Sequence, residues 1–305
     1  MTLEESLKMA SIKVWNELEP IPINSVYKVF EVREEALTTM AIKELYKSKC
    51  PSIDKIEMIP GNEESLKGYD FEMAIGSKSK GKYVRLFIQA KRLYGKSINN
   101  SFDALDFSQT ELLINYSKKE SSLAMYAFYN HLLDSDLELI NCYNSATPYD
   151  KKNLGITLAS AYSVKKLQSK KFYDYHFNNE RRIDPKLYSL RYYPQLFYFH
   201  KASRSHLAVP FHELSYFTIE IAEKINKVYR RLKRRGKTNF FFFFFPGIED
   251  FLNGDKYIIP VLETNISQLV ADFQKRTFVE NEDVYQPKAL IVFDTDNLDF
   301  SKMHE

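Results

Sequence analysis

Residues 68–93 read GYDFEMAIGSKSKGKYVRLFIQAKRL. Phe71, Met73 and Ile75 alternate with Asp70, Glu72 and Ala74, and further on Val84, Leu86, Ile88 and Ala90 alternate with Arg85, Phe87, Gln89 and Lys91. Successive side chains of a strand point to opposite faces, so a period of two predicts strands over Tyr69–Ile75 and Tyr83–Leu93. The stretch between them, GSKSKGK, is small, polar and glycine-bearing, as a hairpin loop requires. Each strand then has one apolar face. On the other face, Asp70 and Glu72 stand together on the first strand, and Gln89 and Lys91 on the second.

Outward from this hairpin the periods change. Residues 3–17 have helical spacing, with Leu3, Leu7, Ile12 and Trp15 among charges, and Pro20 and Pro22 end the run. A second helix is expected over Tyr27–Tyr46, with Val32, Ala36, Met40 and Leu45 inward, closed by Pro51. Residues 52–60 read as a short strand or edge. After the hairpin come a helix over Phe107–Lys119, a buried strand over Leu123–Tyr129, and a strand turning into a helix over 155–167. A long helix follows over 213–235, with Leu214, Phe217, Ile221, Ile225 and Val228 on one face, stopped by Gly236. The six phenylalanines Phe240–Phe245 read as a buried strand, with an oligomer interface as the other reading. Tyr257–Leu262 and Ala289–Phe293 read as late strands. Helices alternating with strands suit a mixed sheet flanked by helices, an α/β class.

The chain has 305 residues, 44% hydrophobic and 15% aromatic, so one large or two ordinary domains can be built. Nine glycines are too few for a glycine-rich nucleotide fold. The two cysteines, Cys50 and Cys142, lack metal spacing and read as buried free thiols. No apolar run approaches the ~20 residues that cross a bilayer, and the N-terminus lacks a secretory pattern, so a cytoplasmic protein is expected. Net charge is +3, unevenly spread: −4 over 1–150, +14 over 151–240 and −7 over 241–305. The shift near residue 150 divides the chain into an expected core, 1–150, and a basic, aromatic α+β region, 151–305, with one continuous structure as the alternative. The basic block suits either a polyanion partner or a solvated face balanced by the acidic ends. Its densest part is Arg230, Arg231, Lys233, Arg234 and Arg235. This cluster reads first as a solvated helix end; with Lys165, Lys166, Lys170, Lys171, Arg181 and Arg182 a phosphate-tracking groove is the other reading, and Tyr188–Tyr198 reads as core, with stacking surfaces for bases as the alternative.

Phosphodiester cleavage needs a divalent cation held by hard oxygens, an activated water and a cation to offset phosphate charge. A hairpin carrying an Asp on one strand and a ligand and a Lys two residues apart on the next supplies these on one face. Asp70 followed by Gln89-Ala90-Lys91 has that layout, and here the chain resembles the PD-(D/E)xK nuclease superfamily, the restriction-endonuclease-like fold. The resemblance covers about residues 27–170 and includes Glu34-Glu35-Ala36-Leu37-Thr38, Gly68–Glu72, Gln89–Leu93, Gln109, Tyr126–His131 and Gly155–Ala159. Tyr69 stands at the usual Pro position, and Gln89 at the usual acidic one.

The resemblance implies a restriction-endonuclease-like core and Mg²⁺- or Mn²⁺-dependent cleavage, with DNA as the expected substrate and bacterial antiviral defence as the expected setting. It implies that Asp70 binds the metal and that Gln89 and the Ala90 carbonyl complete its protein ligands. Glu35, or alternatively Glu34, reaches the site from the preceding helix. Lys91 orients the attacking water and contacts the phosphate. Gln109 positions the site, and Glu72 is a further ligand. Because Gln89 brings no charge, a binding module without cleavage is the first alternative. An interaction subunit, as a homo-oligomer or with another defence protein, is the second. His131 reads as structural, and the spacing of His200, His206 and His212 fits no zinc motif.

Overall fold

The computed structural model describes residues 1–19, 21–23, 26–28, 32–58, 68–92, 107–131, 150–168, 208–234, 259–277, 289–296 and 298. The chain enters through α1 (Leu3–Glu17). Thr2 caps this helix reciprocally with Glu5, which satisfies two amides that the first turn leaves open. A short hairpin of β1 (Ile21–Ile23) and β2 (Val26–Lys28) follows, then α2 (Glu34–Ser48).

Here the expected second helix is corrected. Tyr27 and Lys28, its first residues, belong to β2, residues 29–31 lie outside the described residues, and helix begins at Glu34. Its inner face is also shifted in phase: Leu37, Thr38, Ala41, Ile42 and Leu45 are buried, where Val32, Ala36 and Met40 were expected to lead. A start at Glu34 places its apolar residues three and four apart on one stripe.

The sheet is formed by β3 (Ile53–Met58), β4 (Phe71–Ser77), β5 (Lys82–Arg92), β6 (Leu123–Tyr129), β7 (Ile156–Ser160), β8 (Ala208–Pro210), the two-residue β9 (Leu262–Glu263) and β10 (Ala289–Asp294). Seven strands run in the order β3-β10-β4-β5-β6-β7-β8, and β9 pairs with the start of β5. β4 and β5 form the expected antiparallel hairpin, β5 and β6 are parallel, and β10 lies parallel to β4. The fold is therefore α/β with a mixed, helix-flanked sheet. The shift near residue 150 leaves no boundary in this sheet, since β7 to β10 all lie beyond it and β10 sits between β3 and β4.

Helices α1, α2 and α5 (Ile219–Arg234), with the 3-10 turn Phe211–Tyr216, bury the apolar face of the sheet: Phe71, Met73, Ile75, Val84, Leu86, Ile88, Ala90 and their neighbours. The helix expected from 213 thus starts at 219, after a tighter turn. Helices α3 (Phe107–Lys119), α4 (Ala161–Gln168) and α6 (Ile266–Thr277) cover the other face. With both faces covered, ten of the eleven β5 residues are buried. Of the strand expected over Tyr257–Leu262, residues 259–261 are not strand, Leu262 opens β9, and Tyr257 and Ile258 lie outside the described residues. Phe240–Phe245, Tyr188–Tyr198, His200, His206, Cys142, Arg181 and Arg182 lie outside the described residues. Cys50 is a buried free thiol. Among the described residues, no helix is long and apolar enough to cross a membrane.

Candidate functional site

The site is built at the end of β5. The Asp70 N–H donates to the Ile88 carbonyl at 2.8 Å, so the ladder runs one residue past Phe71 and sets Asp70 beside Gln89. The Asp70 carboxylate accepts from the Ala90 N–H and from the Gln89 side-chain amide, both at 2.6 Å on Oδ2. Gly68 has φ of +75°, and a Cβ there would meet the Leu113 amide of α3 at 2.9 Å and the Gln109 carbonyl at 3.1 Å. Only glycine lets the first turn of α3 rest on the backbone two residues before Asp70, which brings Gln109 to the edge of the site.

From the opposite face, α2 points its first turn at the same strand end. Glu34 accepts from the Arg92 N–H at 2.9 Å, and the Arg92 guanidinium donates to the Val32 carbonyl at 2.6 Å. Thr38, one turn later, is shared between the Glu34 carbonyl at 3.0 Å and the buried Tyr129 hydroxyl at 2.6 Å. This brace ties α2 to β6 and fixes Glu34. Burial holds the Glu34 carboxyl above its ordinary value. The Lys91 charge and the Arg92 N–H oppose that rise, and the Asp70 and Glu35 charges add to it. Lys91 is 5% exposed and Gln89 4%. Among the described residues the Lys91 ammonium makes no hydrogen bond or ion pair.

The structure therefore brings together Asp70, Gln89, Ala90, Lys91 and Glu34. Glu35 is exposed one position round α2, so the helix glutamate at this site is Glu34, the residue expected as the alternate. The signal was in the sequence: Glu34 is in phase with Leu37, Thr38 and Ala41, the buried stripe. Glu72 shares the Asp70 face but not its role. It is fully buried, and Arg276 of α6 grips both of its oxygens, Nη2–Oε2 at 2.7 Å and Nε–Oε1 at 3.1 Å, while the Tyr69 hydroxyl donates to Oε1 at 3.0 Å. Where a further ligand was expected, the structure places Glu72 in a buried ion pair with Arg276. Arg85 joins the same cluster, 3.5 Å from Glu120 and over the Phe87 ring. The His131 ring lies against Trp15, with centroids 4.5 Å apart and planes tilted by 37°.

Of the residues expected to line a basic groove, Lys165, Arg230 and Arg231 fall on both sides of the sheet, and Lys170, Lys171, Arg181 and Arg182 lie outside the described residues. Lys165 is on α4 and pairs with Glu111 at 2.7 Å. Arg230 and Arg231 lie on α5, on the other side of the sheet. Lys233 and Arg234 continue that helix, and Arg235 lies outside the described residues.

The donors suit a hard cation. Asp70 and Glu34 offer carboxylates, Gln89 an amide oxygen and Ala90 a carbonyl, with nitrogen and sulfur ligands absent from this set. The two carboxylates also raise each other's cost, which a divalent charge between them would relieve. Among the described residues, no group of three or more His, Cys, Asp or Glu is placed to hold a metal ion, so such a cation would depend on the neutral oxygens as well. In class, this is a helix-flanked mixed sheet whose antiparallel hairpin ends in a carboxylate, an amide and a lysine. The chain belongs to DUF6615, a family of unknown function, whose model matches residues 3–281. None of the curated proteins matches it.

Proposed function

We propose that this protein is a divalent-metal-dependent nuclease that hydrolyses phosphodiester bonds, with DNA as substrate. The observation that carries the reading is the meeting of Asp70, Gln89, Ala90, Lys91 and Glu34 at one strand end, from two strands and a helix. Asp70 and Glu34 would hold Mg²⁺ or Mn²⁺ with the Gln89 and Ala90 oxygens. The cation would supply a polarised phosphate oxygen and a water of lowered pKa. To join the ligands, Gln89 would turn its amide so that oxygen faces the cation, giving up its N–H bond to Asp70. Lys91, held on the same strand face as Gln89, donates to a non-bridging phosphate oxygen and to the attacking water. Tyr129 and Thr38 keep Glu34 in place, and the Glu72–Arg276 pair anchors β4 behind Asp70. Water adds to phosphorus, and the bridging oxygen leaves with a proton.

The test is cleavage of linear, circular and single-stranded DNA with Mg²⁺ or Mn²⁺, comparing wild type with Asp70→Ala and Lys91→Ala. Cutting by wild type alone supports the reading. Equal cutting by either variant overturns the assignment. One observation favours a second reading, a binding module that does not cut: the Gln89 amide already satisfies Asp70, as a carboxylate at that position could not. DNA binding without cutting under either metal selects it.

A further inference from the structure

Helix α5 is divided by charge. Its acidic residues, Glu220 and Glu223, fall in the first half and are engaged by the β4–β5 hairpin: Lys80 pairs with Glu220, and Lys82 with Glu223 at 2.7 Å. From Lys224 onward the described charges are all basic, Lys224, Lys227, Arg230 and Arg231 are exposed, and none of these four has an ion-pair partner among the described residues. Lys78, Lys80, Lys82 and Lys165, by contrast, are all paired. Spacings of three and four put these cations along one side of the helix over about 10 Å, at 1.5 Å per residue. Cations in a last turn offset the helix dipole, but Lys224 and Lys227 lie well before that turn.

Beside this ridge is a groove of about 940 Å³ lined by Lys82, Lys227, Arg230 and Arg231 against Glu223 and Glu263. Its far wall is fixed. Asn226 donates to the Ile259 carbonyl at 2.9 Å and accepts from the Ile259 N–H at 2.8 Å. The groove is separate from the acidic site. Lys82 precedes Lys91 by nine residues of one strand, about 30 Å at 3.3 Å per residue, and the odd spacing puts the two on opposite faces of the sheet.

We propose that this ridge and groove form a nucleic-acid anchor that grips the phosphate backbone of a duplex at a distance from the candidate cleavage site. A rigid row of unpaired cations matches a rigid row of phosphates, and the release of counterions on binding drives such contacts without regard to sequence. The inference does not depend on cleavage. It predicts a holding contact that works without divalent metal.

The experiment measures binding of the full chain to a fluorescent duplex of about 30 base pairs in EDTA, from 50 to 200 mM salt. Three proteins are compared: wild type, K227A/R230A/R231A, and Asp70→Ala. The triple variant is expected to bind at least tenfold more weakly and to lose about 2–3 from the slope of log K against log salt. Asp70→Ala should bind within twofold of wild type. A charge-keeping R230K/R231K variant should retain most of the affinity, which separates charge from folding. Unchanged affinity and slope in the triple variant would overturn the anchor. So would wild-type binding to phosphatidylserine vesicles but not to duplex. Loss of cutting in Asp70→Ala with binding intact tests the site alone, so failure of either reading is seen separately.

Discussion

Glu72 and Asp70 stand two residues apart on one strand face, yet the structure assigns them different work, and replacing each in turn separates them. Glu72→Ala takes from Arg276, 12% exposed, its two-point carboxylate partner beside Arg85, 6% exposed, and the half-buried Glu120 is the neighbouring carboxylate. Glu120 lies 3.5 Å from Arg85 and 3.9 Å from Arg276, too far to replace a two-point grip. Removing one partner of a buried pair costs about 3–5 kcal/mol, because the remaining charge keeps its desolvation penalty. For a chain of this size each kcal/mol moves Tm by about 2 °C, so a fall of about 6–10 °C is expected. Asp70→Asn should cost about 1 kcal/mol or less, since Asn still accepts from the Ala90 N–H and relieves the repulsion with Glu34. Thermal melts followed by circular dichroism read both. The double variant Glu72→Ala/Arg276→Ala should lose less than the two single losses added together. The reasoning fails if Glu72→Ala melts within 2 °C of wild type, and fails in an informative way if that variant has also lost all cleavage, since Glu72 would then be a free ligand.

Two further outcomes follow from the same geometry. Burial, with help from the Lys8 charge and against that of Glu4, pushes the His212 imidazole down to about 4. The fold thus favours the neutral ring, and the stability this brings is complete above pH ~6.5 and is lost as pH falls through about 4. Between pH 7 and 4.5, urea denaturation should show wild type losing about 2–3 kcal/mol more than His212→Gln, and parallel curves would refute it. Mn²⁺ at ten times its Kd should stabilise wild type by about 1.4 kcal/mol, a rise of about 3 °C in Tm. The rise should vanish in Asp70→Ala, and an equal rise in that variant removes Asp70 from the ligand set.

The hairpin was legible because a period of two is a local signal and a covered sheet leaves one apolar face on each strand. Phe107–Lys119 and Leu123–Tyr129 appear with the bounds their sequence suggests. The phase of α2 was legible in principle. The resemblance left Glu35 and Glu34 as alternatives, and the stripe of Leu37, Ala41, Ile42 and Leu45 turns Glu34 inward. What could not be read was anything set by distant parts of the chain. Arg276 reaches Glu72 across 204 residues, and β10 enters between β3 and β4 from near the C-terminus. No local period encodes either contact.

Alternation along a strand tells which face a side chain takes but not how deep it lies, and depth decides between Asp70 and Glu72. Both carboxylates point to the side covered by α3 and α6. Glu72 lies within the covered span, level with Phe87 and under Arg276, where an unpaired charge is too costly to leave open. Asp70 lies one residue beyond the strand proper and is only half-buried. Its partners include an amide side chain and a backbone N–H, which a cation displaces or supplements more cheaply than a guanidinium. The Glu34 carboxyl reaches the same level from the other face because α2 starts there and not earlier. A half-buried carboxylate therefore stands where the covering helices stop. The same sheet, one pleat further in, uses an identical chemical group as a structural anchor.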